Sequence, residues 1–242
     1  MIKSSNQINM VGLKSSLFTF VCFSSILLVG CGGSASDQTP DMKMIDVVGS
    51  VKSVTVKTFL CDEDFDHDKK ADWEETYEFD DQGRFTLFRG IKLKYDESGN
   101  ISNAYVKHNF DGSKTKYKVK RNENGYISKY YVPSEKEEGL TYTYKYTFYD
   151  NGNLKKVEQK MHGALEDSDV TFFNENGQMM RNEMSGAFST DTYEVTQKDA
   201  LGNWTEIHAV SVSSFAKQMS PDADVEDQVS YKVMTRTIKY NN

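Results

Sequence analysis

The chain has 242 residues, 36 acidic residues against 29 Lys+Arg, a net charge of −7, three cysteines and 12% aromatic residues. So few cysteines exclude a disulfide scaffold. The aromatic content excludes a disordered chain, and the acidic balance argues against nucleic acid as a partner.

Residues 1–30 hold Lys3 and Lys14 and no acid, and the fourteen residues from Ser16 to Val29 are apolar or small. A charged start followed by a short apolar run predicts a helical signal peptide. A bilayer span needs about 20 such residues. The run closes on Leu28-Val29-Gly30-Cys31, which resembles the lipobox of bacterial lipoproteins. That resemblance implies that Cys31 becomes the first mature residue, carrying a thioether-linked diacylglycerol and usually an N-acyl chain such as palmitate. Removing residues 1–30 leaves a net charge of −9. An acidic body is repelled by anionic lipid, so the acyl chains must hold the protein to the membrane. Gly rather than Asp at position 32 implies the outer membrane. Residues 31–44, with Gly32-Gly33-Ser34 and Pro40, read as the lipidated Cys and a flexible tether. With Cys22 removed and Cys31 acylated, Cys61 is left as a lone thiol, expected to be a buried small hydrophobe.

The body, residues 45–242, has an apolar period of two. In Leu140–Phe148, the residues Leu140, Tyr142, Tyr144, Tyr146 and Phe148 share one face, with Thr and Lys on the other. Strict alternation predicts a strand half buried on one side of a sheet. Shorter versions occur at Val51–Phe59, Asp191–Gln197, Trp204–Val212 and Val229–Tyr240.

One turn punctuates these strands: Phe79-Asp80-Asp81-Gln82-Gly83, Tyr95-Asp96-Glu97-Ser98-Gly99, Asn122-Glu123-Asn124-Gly125, Tyr149-Asp150-Asn151-Gly152, Phe173-Asn174-Glu175-Asn176-Gly177 and Asp199-Ala200-Leu201-Gly202. Asp or Asn at the first place accepts from turn N–H groups. Gly at the fourth takes the positive φ of a type I turn closing on a bulge. The copy at Tyr149 reads as one residue shorter. Glycines 99, 125, 152, 177 and 202 are 26, 27, 25 and 25 residues apart, one hairpin per repeat, whereas Gly83 and Gly99 are 16 apart. The fold class expected is all-β, an antiparallel meander of repeated β-hairpins forming one twisted or rolled sheet. The pattern resembles the YD repeats of Rhs-type and teneurin-type proteins, best in Tyr95-Asp96-Glu97-Ser98-Gly99-Asn100-Ile101 and Tyr149–Leu154. That resemblance implies a structural motif, as in small bacterial lipoproteins of unknown function, and supplies no reaction.

Two constellations stand out as candidate sites. Asp64, Asp66, Asp68, Lys70 (through its carbonyl), Asp72 and Glu75 have the spacing of an EF-hand-type calcium loop, which lets one loop supply several oxygens to Ca²⁺. The sixth place is Lys69 where the sharp turn wants Gly. The Tyr142, Tyr144, Tyr146 stripe offers aromatic faces on which a sugar could stack, or the buried face of a strand. Lys114–Arg121 is a basic run that suits a charged outer strand guarding a sheet edge. Phe85–Phe88 and Met179-Met180 read as core, and Ser213–Gln228 as a long exposed loop. No Gly-x-Ser-x-Gly elbow, Walker loop or paired metal-binding histidines occur in the body. The expectation is therefore a lipid-anchored, non-enzymatic envelope module that binds a protein or glycan. The alternatives are an envelope hydrolase with a site built across the sheet and a calcium-clipped structural protein.

Overall fold

The computed structural model describes residues 38–133, 140–162, 167–185, 188–214 and 226–241. Cys31, the signal peptide and most of the Ser213–Gln228 segment lie outside the described residues. The fold is all-β, with a single short helix, α1 (Pro40–Met44). The strands are β1 (Val51–Cys61), β2 (Trp73–Phe79), β3 (Phe85–Phe88), β4 (Ile91–Tyr95), β5 (Ile101–Lys107), β6 (Lys114–Lys116), β7 (Lys118–Arg121) and β8 (Ile127–Tyr131). They continue as β9 (Thr141–Phe148), β10 (Leu154–His162), β11 (Asp167–Phe173), β12 (Met179–Met184), β13 (Ser189–Lys198), β14 (Trp204–Ser213) and β15 (Gln228–Tyr240).

All fifteen belong to one antiparallel sheet in which neighbours in sequence are neighbours in space and β1 also pairs with β15. The meander therefore rolls into a nearly closed barrel, and among the described residues its one break lies between β6 and β7. The basic run Lys114–Arg121 supplies both strands at that break. Tyr117 sits between them, and its N–H donates to the Ala104 carbonyl of β5 at 2.8 Å.

The predicted turns all occur, at one rim of the barrel. In each, the fourth-place glycine has φ between 71° and 84° and donates to the carbonyl of the first residue. At Asp80, Asn122 and Asp199 the side-chain oxygen accepts two turn N–H groups, as a preformed cap. Register shifts beside the turns, such as Glu78/Phe79 and Lys94/Tyr95, are the expected bulges. The Tyr149 copy is not a shorter turn. The Gly152 N–H donates to the Tyr149 carbonyl, so Tyr149 occupies the first place and Phe148 is the preceding aromatic. Tyr149 cannot cap the turn, and Asn151 accepts from the Asn153 N–H instead.

The segment expected to be a tether up to residue 44 is tether for only part of its length. Pro40–Met44 forms α1, capped by Thr39, whose hydroxyl accepts from the Met42 N–H and donates to the Gly83 carbonyl. Met42, Met44, Ile45 and Val47 are buried against Phe79, Phe85, Ile127, Trp204 and Met234. They plug the turn end of the barrel. Asp41 holds the seam: its carboxylate accepts from the Phe85 N–H of β3 and pairs with Arg121 of β7 at 2.5 and 2.7 Å. Arg121 also donates to the Tyr95 hydroxyl of β4. The two sides of the break are thus tied together through one buried carboxylate.

Candidate functional site

The barrel interior changes character along its length. Near the turn rim the inward positions are mostly apolar and filled by the plug, with a buried Arg236 donating to the Ile45 and Asp46 carbonyls. Toward the opposite rim they are polar: Glu75 and Tyr77 on β2, Tyr142 and Tyr144 on β9, Gln159 on β10, Thr171 on β11, Asn182 on β12, Asp191 on β13 and Lys232 on β15. Thr171 donates to Asn182 at 2.8 Å and Lys232 donates to Asp191 at 2.9 Å. Trp73, Glu75, Tyr142 and Lys232 point inward yet are half-buried rather than buried, so this end is a mouth reached by water.

Arg89 enters the mouth from the shortest hairpin. β3 and β4 have four and five residues, and the loop between them is Arg89-Gly90 alone. Both loop residues have positive φ, 48° and 74°, which is the type I′ pattern that favours Asn-Gly. Because Leu87 pairs with Glu78, the hairpin tip stands near Thr76 and stops short of Trp73, where β2 begins. The guanidinium reaches inward, and its Nη1 donates to Gln159 Oε1 at 2.6 Å. β3 and β10 are not sheet neighbours, so this bond crosses the interior.

The cluster is incompletely satisfied. Tyr77 donates to Glu75 Oε2 at 2.8 Å, but Glu75 Oε1, Arg89 Nε and Nη2, and the Tyr144 hydroxyl are buried with no hydrogen-bond partner in the protein. Such groups call for water or a ligand. Burial pushes the Glu75 carboxyl up, with Arg89 and then Tyr77 pulling it down. Burial opposes the charge on Arg89, but Tyr144, Tyr130, Tyr77 and Glu75 outweigh it and keep the guanidinium charged. Its carbon lies 5.7 Å from the centre of the Tyr144 ring and 5.9 Å from that of Phe88.

The stripe Tyr142, Tyr144, Tyr146 is therefore not an exposed platform on the outer wall. Tyr144 is 6% exposed, Tyr146 donates to the Ile127 carbonyl at 2.7 Å, and only Tyr142 borders the mouth half-buried.

Of the six residues of the calcium-loop spacing, Asp64, Asp66 and Asp68 line one open surface pocket with Asp62, while Glu75, Asp72 and Lys70 do not join them. Glu75 points into the barrel, Asp72 accepts from the Leu60 N–H, and Asp64 and Asp66 accept from backbone N–H groups two residues on. Asp68 and Lys70 are exposed on the loop. Among the described residues no three His, Cys, Asp or Glu side chains converge on a metal-sized point. Two aromatic residues explain the loop's path. Phe65 stacks on His208 at 4.2 Å and meets Tyr231 edge-on, while His67 packs on Phe59, so the loop folds back over the outer wall. Cys61 is half-buried at the loop's base rather than buried. Burial pushes its thiol up; Lys69 pulls down, and Asp64 and Asp62 raise it further. Met179 is buried as expected, but Met180 is 49% exposed.

No family model matches the chain, and no curated protein matches it. Nine solved chains match in fold. One is a porin-like protein from Bacteroides uniformis, 12% identical, covering 78% of this chain and 96% of its own, with a TM-score of 0.48. So distant a likeness carries no argument about function. The outer wall is polar on part of its circumference, whereas β14 and β15 carry Val210, Val212, Val229, Tyr231 and Val233 outward. On β9 and β10 the outward residues are Thr143, Lys145, Thr147, Lys156, Glu158 and Lys160, where a membrane-spanning strand would carry an apolar band.

Proposed function

We propose that the chain is a lipid-anchored protein of the cell envelope, held at the outer membrane through Cys31, and that its barrel is a non-enzymatic binding module for a glycan or protein. The observation that carries this reading is the division of the barrel into a plugged end and an opposite end whose inward groups include half-buried polar side chains. Gln38, at the turn rim, is seven residues from Cys31. Seven residues reach at most about 25 Å when fully extended. An anchor at Cys31 would therefore keep the turn rim near the bilayer and turn the mouth away from it, toward ligands. The polar outward residues of β9 and β10 support attachment by acyl chains rather than by those strands embedded in lipid. The regular Gly-closed turns support a relationship to YD repeats, used here to build a barrel rather than a long shell.

Membrane fractionation tests the anchor. Wild-type protein should sediment with outer membranes and Cys31→Ala should be released from them. An unchanged distribution of Cys31→Ala would end the anchor reading. Cross-linking from intact envelopes tests the orientation: reactive groups placed near Trp73 should capture glycan or protein, whereas groups placed at Asp81 should capture lipid. The reverse pattern would refute it.

A further inference from the structure

The mouth contains a set of groups whose chemistry is that of a recognition site, and their cost to the fold shows that packing alone does not account for them. Arg89 occupies a left-handed position that favours Asn or Gly, and it brings a cation into the barrel. The polar atoms left over are specific. Nε and Nη2 form one edge of the guanidinium, the side that takes a carboxylate through two parallel N–H bonds. Glu75 Oε1 is an acceptor in want of a donor, and the Tyr144 hydroxyl can both give and take. Beside them Tyr142, half-buried, stacks on Tyr130 at 4.7 Å and adds apolar aromatic surface.

We infer that the mouth binds an acidic sugar unit, its carboxylate on the Nε and Nη2 edge of Arg89 and its hydroxyls on Glu75 and Tyr144. A bare inorganic anion would satisfy Arg89 and leave Glu75 without a donor. A neutral sugar would satisfy Glu75 and leave the guanidinium edge unpaired. Only a ligand carrying an anion, hydroxyls and apolar ring carbons answers all the open positions at once. This inference deepens the binding-module reading and rests on it.

The test uses full-length protein in detergent, titrated by calorimetry with D-glucuronate, D-glucose and inorganic phosphate. Glucuronate should bind saturably, and glucose and phosphate at least about tenfold more weakly, since one charge-assisted bond lost is worth about a factor of ten or more. Two variants separate recognition from support. Arg89→Asn with Glu75→Gln removes both charges and places Asn-Gly in the type I′ turn. It should melt at or above the wild-type temperature and lose glucuronate binding. Tyr144→Phe keeps both charges; it should fold as wild type and bind glucuronate several-fold more weakly. Phosphate binding as tight as glucuronate overturns the inference, as does wild-type affinity in either variant. No saturable response to glucuronate also overturns it, and the open positions then hold water alone. None of these outcomes bears on the anchor, which fractionation of Cys31→Ala decides.

Discussion

The two halves of the barrel interior are built from the same alternating strands yet serve opposite ends. At the turn rim the inward residues are mostly apolar around a buried Arg236, and the Asp41 carboxylate meets Arg121 and the Phe85 N–H at the seam, although Asp46 Oδ2, Trp204 Nε1 and Arg236 Nη2 keep open valences there. At the mouth the charges of Arg89 and Glu75 keep open valences. Both ends therefore keep buried polar atoms with open valences, and they differ in that the turn rim is packed by Met42, Met44, Ile45 and Val47.

The largest effect should come from the seam. Asp41→Ala leaves the Phe85 N–H without its acceptor and Arg121 with only the Gly125 carbonyl and the Tyr95 hydroxyl at the seam. The loss should be about 3–5 kcal/mol by urea denaturation, the usual cost of removing one member of a buried pair. A change under about 1 kcal/mol would mean that the seam closes without α1. The counterpart change at the mouth, Tyr144→Phe, removes an unpartnered hydroxyl and should leave stability unchanged or raised.

Asp46 tests the plug through pH. Burial raises its carboxyl to about 7 from an ordinary 3.8, against the pull of Arg236 and then Lys198. The folded chain thus keeps a proton that the unfolded chain releases. The stability this contributes is complete below about pH 4 and is lost as pH rises through 7. The slope between those limits should approach about 1.4 kcal/mol per pH unit. Arg236, depressed to about 10 chiefly by burial, stays charged across this window and adds no slope. Asp46→Asn should flatten the profile and stabilise the protein at neutral pH. An unchanged slope in urea titrations from pH 4 to 7 would place the titrating group elsewhere.

Much of this architecture is legible in the sequence, and the reasons are local. Alternation over Leu140–Phe148 marks a strand, and six Gly-closed turns mark the reversals, because both depend on neighbours in the chain. Closure of the barrel is not legible, since β1 against β15, where Val51 faces Tyr240, and Asp41 against Arg121, 80 residues apart, are long-range pairings set by register rather than pattern. Asp41 in particular sits in a small, polar stretch with the composition of a linker. The mouth left one trace: the interval of 16 residues between Gly83 and Gly99, which is the clipped hairpin that delivers Arg89. An Arg-Gly pair where a two-residue hairpin wants Asn-Gly was the second half of that signal. The acidic spacing at Asp64–Glu75 does not show the direction of Glu75, which the period of two turns into the barrel once β2 begins at Trp73.

The smallest effect isolates the plug from the turn that it touches. Gly125 and Gly152 close equivalent turns with φ of 82° and 81°. An alanine at either should cost on the order of 1 kcal/mol in left-handed strain. A Cβ at Gly152 meets nothing within 4 Å, whereas one at Gly125 meets Pro40 Cγ at 3.0 Å. Pro40 opens α1 and its ring cannot rotate aside, so Gly125→Ala must also shift the plug. Thermal denaturation should show Gly125→Ala melting below Gly152→Ala, by an added cost of about 1 kcal/mol. Adding Pro40→Ala to each should erase most of that difference, because it removes the ring from the contact. Equal melting temperatures for the two single variants would show that α1 gives way freely, and that the rigid half of the barrel ends at the turns rather than at the plug.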